Sequence, residues 1–388
     1  MRTQSEGDGT VTGKLLLAAI SCLLTLLLAE LLLPAFLDLE KVTLAYDPLL
    51  GFKGRAGLTT VWRREMKGGQ RLVVINRDGF HDRERPRGRA PRSRRLVFLG
   101  DSFLEGYQVE IEENFSQLVG GSLTQRYRSL DLRVECLNQG VHGYGLGVHY
   151  LYVRERLMAW HPDTVVLVLF LGNDLHDNFT AVASPAVPRF HMSGGEVVYL
   201  PVSPADARTW LRDNVLARSV MIRFLWMRLI KTSGGAMQLA RAAGMVSTPD
   251  LESDAGSRSG EMLKVAAHLL ERIATDLRQR GVSLFVFVIP DPFWVQDLVN
   301  AARAARDDTP ALRLHMQRQE IESGVLQILT QLRIAHLYPL DDFVQARLDG
   351  DGYYRNGFGH FTDEAHRVVA GQLEEPLWRL LGDSGLAR

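Results

Sequence analysis

The stretch Val97–Gly106, VFLGDSFLEG, opens on apolar residues and ends at a serine held behind glycine and aspartate. An apolar run bounded by turn formers marks a strand covered on both faces. Gly, Asp and Ser are common turn residues, so alone the stretch reads as an ordinary strand-to-helix turn. A hydroxyl at the tip of a buried strand can also be a nucleophile, and the surrounding chain decides between the two. The stretch lies in the first of five apolar runs: RLVFL (95–99), RVECL (133–137), TVVLVLFL (164–171), SLFVFVI (283–289) and the weaker IAHL (334–337). Helical patterns lie between them at about 114–128, 147–160, 260–280 and 311–332. Strand and helix alternating in this way predict an α/β fold with a doubly wound parallel sheet.

Around this frame the chain has three additions. A lead-in, residues 42–94, contains two short strands around the turn Lys67-Gly68-Gly69. An insertion, 175–258, separates the third run from the fourth, with an apolar helix near 208–232 and a Ser/Gly/Asp-rich linker near 247–260. Its MIRFLWMRLI segment (221–230) reads as a packing helix, with a membrane-lying or lid helix as the alternative. At the N-terminus, residues 15–37 are apolar almost without a break and long enough to cross a bilayer. Arg2 and Lys14 precede this run, so a signal anchor with residues 1–14 in the cytoplasm is expected, a cleaved signal peptide being the alternative. Glu30 inside the run is costly unless it snorkels or pairs.

Composition excludes several classes. Of the 388 residues, 46% are hydrophobic and 23% charged, as in globular proteins. Lys plus Arg equals Asp plus Glu at 45 each, so no global basic field argues for nucleic acid. The arginine-dense stretch Arg77–Arg95 reads as a solvated linker rather than an RNA-binding arm, because aromatics do not alternate with its arginines. Two cysteines, Cys22 and Cys136, make no disulfide framework. His142, His149, His161 and His176 fit no compact ligand spacing, so neither a metal nor another cofactor is expected.

In an open parallel sheet, ligands bind at the carboxyl ends of the strands. Gly100-Asp101-Ser102 follows the first run and NQGVHG (138–143) the second. Gly172-Asn173-Asp174 follows the third, and GFGHFT (357–362) precedes the terminal helix. A hydroxyl, a glycine turn, an amide and an imidazole at one rim form an inventory for acyl transfer. Asp101 and Asp174 read as scaffold, each accepting N–H bonds in its own loop, and His366 reads as a helix-surface residue.

Four blocks, GDSF, NQGVHGYG, LGND and GHFTDEAHRVVA, resemble in order those of the SGNH hydrolases of the GDSL lipase/acylhydrolase superfamily, over about residues 95–380. The lead-in, with NRDGFHD before the serine, resembles that of membrane-anchored bacterial members. The resemblance implies a flavodoxin-like three-layer sandwich over residues 95–384. It implies Ser102 as nucleophile and His360 as general base. It also implies an oxyanion hole from the N–H groups of Ser102 and Gly143 and the side-chain amide of Asn173. Two departures stand out. Gly357 and Phe358 occupy positions where the family has an aspartate before the histidine, and Leu171 stands where it often has glycine. Asp351 or Asp349 could reach back to His360, Asn356 could hold its ring, or a backbone carbonyl could, leaving a Ser-His dyad.

The expected function is a serine esterase acting through an acyl-serine intermediate on acyl or acetyl groups of a glycan or lipid. The expected location is the outer side of the cytoplasmic membrane, with an envelope polysaccharide as candidate substrate. The alternatives are a polysaccharide O-acetyltransferase using the same site and a degenerate glycan-binding domain.

Overall fold

The structure is a computed structural model that describes residues 6–36, 41–63, 69–177, 179, 187–202, 219–221, 255–303, 311–350, 352–355 and 359–383. The chain divides into two units, residues 1–42 with 205–246 and residues 43–204 with 247–388.

In the first unit, helix α1 spans Glu6–Phe36. Its segment Gly13–Leu33, 21 residues, is apolar enough to cross a membrane and is not buried against protein. At 1.5 Å per residue it covers about 31 Å, the thickness of a bilayer core. Glu30 is paired, as its setting demands: its carboxylate accepts the Ser219 hydroxyl (2.8 Å) and the backbone N–H groups of Val220 and Met221. Apart from residues 219–221, the helix expected near 208–232 lies outside the described residues.

The second unit is built on five parallel strands: β5 (Ser93–Gly100), β6 (Arg133–Gly140), β7 (Thr164–Phe170), β10 (Ser283–Ile289) and β11 (Ala335–Leu337). Their order is β11-β10-β7-β5-β6, and every pairing is parallel. Numbered by sequence this is 2-1-3-4-5, the flavodoxin-like doubly wound order. The near-continuous apolar runs are explained by two cores, one on each face of the sheet. Val97, Leu99, Val165, Leu167, Leu169, Val286 and Val288 enter the first core. Their alternates Leu96, Phe98, Val166, Val168, Phe285, Phe287 and Ile289 enter the second. The first core is covered by α4 (Leu146–Glu155), α5 (Ala255–Gln279) and α7 (Ala311–Gln331). The second is covered by α3 (Phe115–Arg126), α6 (Pro292–Arg303), α8 (Leu340–Leu348) and α9 (Asp363–Asp383).

Before the sheet come two antiparallel hairpins: β1–β2 (Leu44–Asp47, Gly51–Gly54) and β3–β4 (Thr59–Trp62, Arg71–Val74). The second is the hairpin read from the sequence, while β1–β2 carries no clear alternation and was not expected. A third hairpin, β8–β9 (Arg189–Ser193, Glu196–Leu200), lies within the insertion. The arginine-dense stretch is largely exposed, as a solvated linker is, but it is tied to the sheet at several points and ends in a buried side chain. Arg95 is almost fully buried, bonded to Glu135 (2.7 Å) and to the carbonyls of Arg87, Gly88 and Trp160. Arg87 lies over the Trp160 ring at 3.6 Å, and Asp163 receives Arg89 and Arg94. The arginine spacing shows no helical or strand period, so these partners were not readable from sequence. Both cysteines are free, Cys22 exposed and Cys136 buried.

Candidate active site

Asp101 follows β5, and its Oδ1 accepts the N–H of Phe103 (2.9 Å), capping the one-turn helix α2 (Ser102–Glu105). That cap turns the chain sharply and leaves Ser102 at the first helical position. Helix α2 is packed so closely on the end of β6 that a Cβ on Gly140 would lie 2.4 Å from the N–H of Glu105. Its carbonyl at Leu104 receives both the Asn114 and the Asn138 side-chain amides at 2.8 Å. The lead-in adds two supports. His81 Nδ1 meets the Glu105 carbonyl at 2.9 Å, and Asp82 Oδ2 accepts the N–H of Asn138 at 3.1 Å. The NRDGFHD stretch is therefore a buttress for the serine turn.

His360 Nε2 lies 2.8 Å from Ser102 Oγ although 258 residues separate them. The imidazole packs on the Phe103 ring, 5.1 Å between centroids. The loop that carries it is tied down by Arg355, whose N–H bonds the His360 carbonyl and whose guanidinium reaches the carbonyls of Phe361 and Gln108. Asp351, Asn356, Gly357 and Phe358 lie outside the described residues. Asp349, the other upstream carboxylate, accepts a bond from Gln345 (2.8 Å).

Gly143 sits at φ +79°, a left-handed conformation that favours glycine, and a Cβ there would come 3.1 Å from the Phe52 ring. Its loop is fixed to the end of β5 by the Val141 N–H, which donates to the Gly100 carbonyl (3.1 Å). Asn173 follows β7, the neighbour of β5 at the switch point of the sheet, where ligands bind in doubly wound folds. Its side-chain amide donates to Asp177 Oδ2 at 2.5 Å. Asp174 accepts the N–H of Phe170 (2.8 Å), the scaffold role read from the sequence. Burial pushes the Asp101 carboxyl up to about 6 despite its bond from Phe103 and the nearby His360, and it raises Asp174 well above the carboxylate range.

Some residues of this region were not found by sequence reasoning. Buried Glu105 holds His142 Nδ1 at 2.7 Å, making a carboxylate–imidazole pair beside Gly143. Its only sequence signal is that Glu105 stands three residues after Ser102, on one helical turn. Asp177 had a similar signal, four residues after Asn173. His366 corrects an expectation: it is buried, not on a helix surface, and its Nδ1 accepts the N–H of Phe115 at the start of α3 (3.1 Å). Burial holds it at about 3, so it stays neutral and able to accept. Among the described residues no cluster of His, Cys, Asp and Glu could hold a metal ion.

No known family profile and no curated protein matches the chain. Several solved structures do. A protein assigned to the G-D-S-L family, from Desulfitobacterium hafniense, is 10% identical over 73% of this chain and 98% of its own, with a TM-score of 0.36. Axe2, an acetylxylan esterase from Geobacillus stearothermophilus, is 13% identical over 74% and 95%, with a TM-score of 0.39. The esterase EstA from Pseudoalteromonas is 11% identical over 74% and 98%, with a TM-score of 0.38.

Proposed function

We propose that this chain is a membrane-anchored serine esterase that cleaves acyl esters through an acyl-serine intermediate. The observation that carries this reading is the 2.8 Å contact between Ser102 Oγ and His360 Nε2 at the carboxyl rim of the sheet. In the proposed reaction His360 takes the Ser102 proton as Oγ attacks the ester carbonyl, and the protonated imidazole passes it to the leaving alcohol. Water then attacks the acyl-serine with His360 again as base. Charge developing on the carbonyl oxygen is received by the N–H groups of Ser102 and Gly143 and by the Asn173 amide. Asp351 is the proposed carboxylate partner of His360, in the role that orients an imidazole and steadies its charge.

The apolar helix α1 supports attachment to a membrane, and the cations that precede it favour a catalytic unit on the outer side. An ester on an envelope polysaccharide, such as an acetyl group, is the proposed substrate class. The test is release of acetate from acetylated polysaccharide by the full chain in mild detergent. Ser102→Ala is expected to lower the rate by roughly 10⁴-fold or more. Equal rates in wild type and variant would overturn the reading. Appearance of the acyl group on an added sugar instead of in water would assign transfer to the same site.

A further inference from the structure

The turn after β7 carries a pair of side chains that the Ser102–His360 chemistry does not by itself require. Asn173 and Asp177 stand one helical turn apart, with the Asp177 N–H donating to the Asn173 carbonyl at 2.9 Å. The Asn173 amide nitrogen donates to Asp177 Oδ2 at 2.5 Å. The other end of the same amide, Oδ1, is buried and has no hydrogen-bond partner among the described residues. A buried amide with one end held and the other unmatched can gain by turning over, so whatever holds the nitrogen end sets what the site receives.

We propose that Asp177 is a positioning residue for Asn173, holding the amide by one N–H so that its second N–H stays available to the oxyanion. This rests on the reading of Ser102 and His360 as nucleophile and base. An ionised carboxylate can only accept, so it selects the nitrogen end of the amide. A protonated Asp177 can donate, so it can take Oδ1 instead and let the amide turn over, replacing a donor by an acceptor where negative charge develops. Burial pushes the Asp177 carboxyl up to about 7, with Asp101 adding to the rise and the Asn173 bond opposing it. The other charged groups of this region are Asp174 on the same loop, His360 beside Asp101, and His176 with Asp291. The holding form is the anion, so the arm is in place above about pH 7 and released below it.

The Asn173–Asp177 bond could instead do no more than staple the turn, and the test separates the two roles. Asp177→Asn, like the protonated acid, can both accept and donate but does not titrate, while Asp177→Ala removes the hold. The full chain in mild detergent is assayed with p-nitrophenyl acetate from pH 5.5 to 9, alongside the rate of fluorophosphonate labelling. At pH 8.5, where wild-type Asp177 is ionised, Asp177→Asn is expected to lower kcat by up to about tenfold. Its kcat relative to wild type should then rise by up to about tenfold on going down to pH 6, because wild type alone loses the arm. Asp177→Ala should lower kcat by about tenfold or more with little change in KM, the direction expected for a weakened oxyanion donor. A ratio of Asp177→Asn to wild type that stays flat with pH would overturn the proposal, as would wild-type kcat in Asp177→Ala. If Asp177→Ala does not fold, the pH ratio of the Asn variant decides. A folded wild type that neither turns over nor labels would overturn the reading of Ser102 itself. Labelling that persists beside a flat ratio would overturn only the role of Asp177.

Discussion

At Ser102 the deciding features are a cap and a contact. Asp101 turns the chain by accepting the Phe103 N–H, and His360 arrives across the sheet at 2.8 Å. Gly143 tests the adjoining loop. Gly143→Ala would force a side chain into a left-handed conformation and against the Phe52 ring. Turnover is expected to fall by about tenfold or more while the melting temperature changes by only a few degrees. Unchanged kcat would remove this loop from the proposed oxyanion hole. The four short blocks made Ser102, Gly143, Asn173 and His360 legible, because each combines a strand end with turn residues and a chemically capable side chain. The partners Glu105, Asp177 and His81 were not legible. Their bonds depend on which turns pack together, and the one-turn spacing of Glu105 and Asp177 from site residues is a signal that many solvated residues share. His366 was misread for the same reason: a histidine on a helix looks exposed until the neighbouring helix α3 presents its unpaired N–H.

Among the elements, the strands were readable because two-sided burial writes itself as unbroken apolar runs, and β5, β7 and β10 alternate cleanly between the two cores. The lead-in was harder to read. Its hairpin β1–β2 is held by tertiary contacts such as the bidentate bond from Arg156 to Asp47, which no local pattern announces. The lead-in matters because it supports α2 through His81 and Asp82. The same support depends on the close seat of α2 on Gly140. Gly140→Ala is expected to displace α2 and reduce fluorophosphonate labelling of Ser102 by at least about tenfold, since a misplacement on the order of 1 Å can cost far more. Labelling at the wild-type rate would show that α2 does not depend on this contact.

For the molecule as a whole, buried histidines set the response to acid. Burial holds both His149 and His366 at about 3, below the ordinary 6.5. Their folded-state affinity for protons is thus lower than in the unfolded chain. The stability this represents is complete above pH 6.5 and is lost as pH falls from there towards 3. Asp101 and Asp177, raised to about 6 and 7, work in the opposite sense, so the effect is read by difference. His366→Gln can still accept the Phe115 N–H but does not titrate. Its melting temperature relative to wild type is expected to climb between pH 7 and pH 4.5, and a constant difference would contradict the burial argument. The central claim is tested most directly by mapping where a fluorophosphonate attaches to the full chain in mild detergent. The account predicts one phosphonylated residue, Ser102, with labelling abolished in Ser102→Ala and slowed by at least about 10³-fold in His360→Ala. Label on another residue, or undiminished label in either variant, would contradict it.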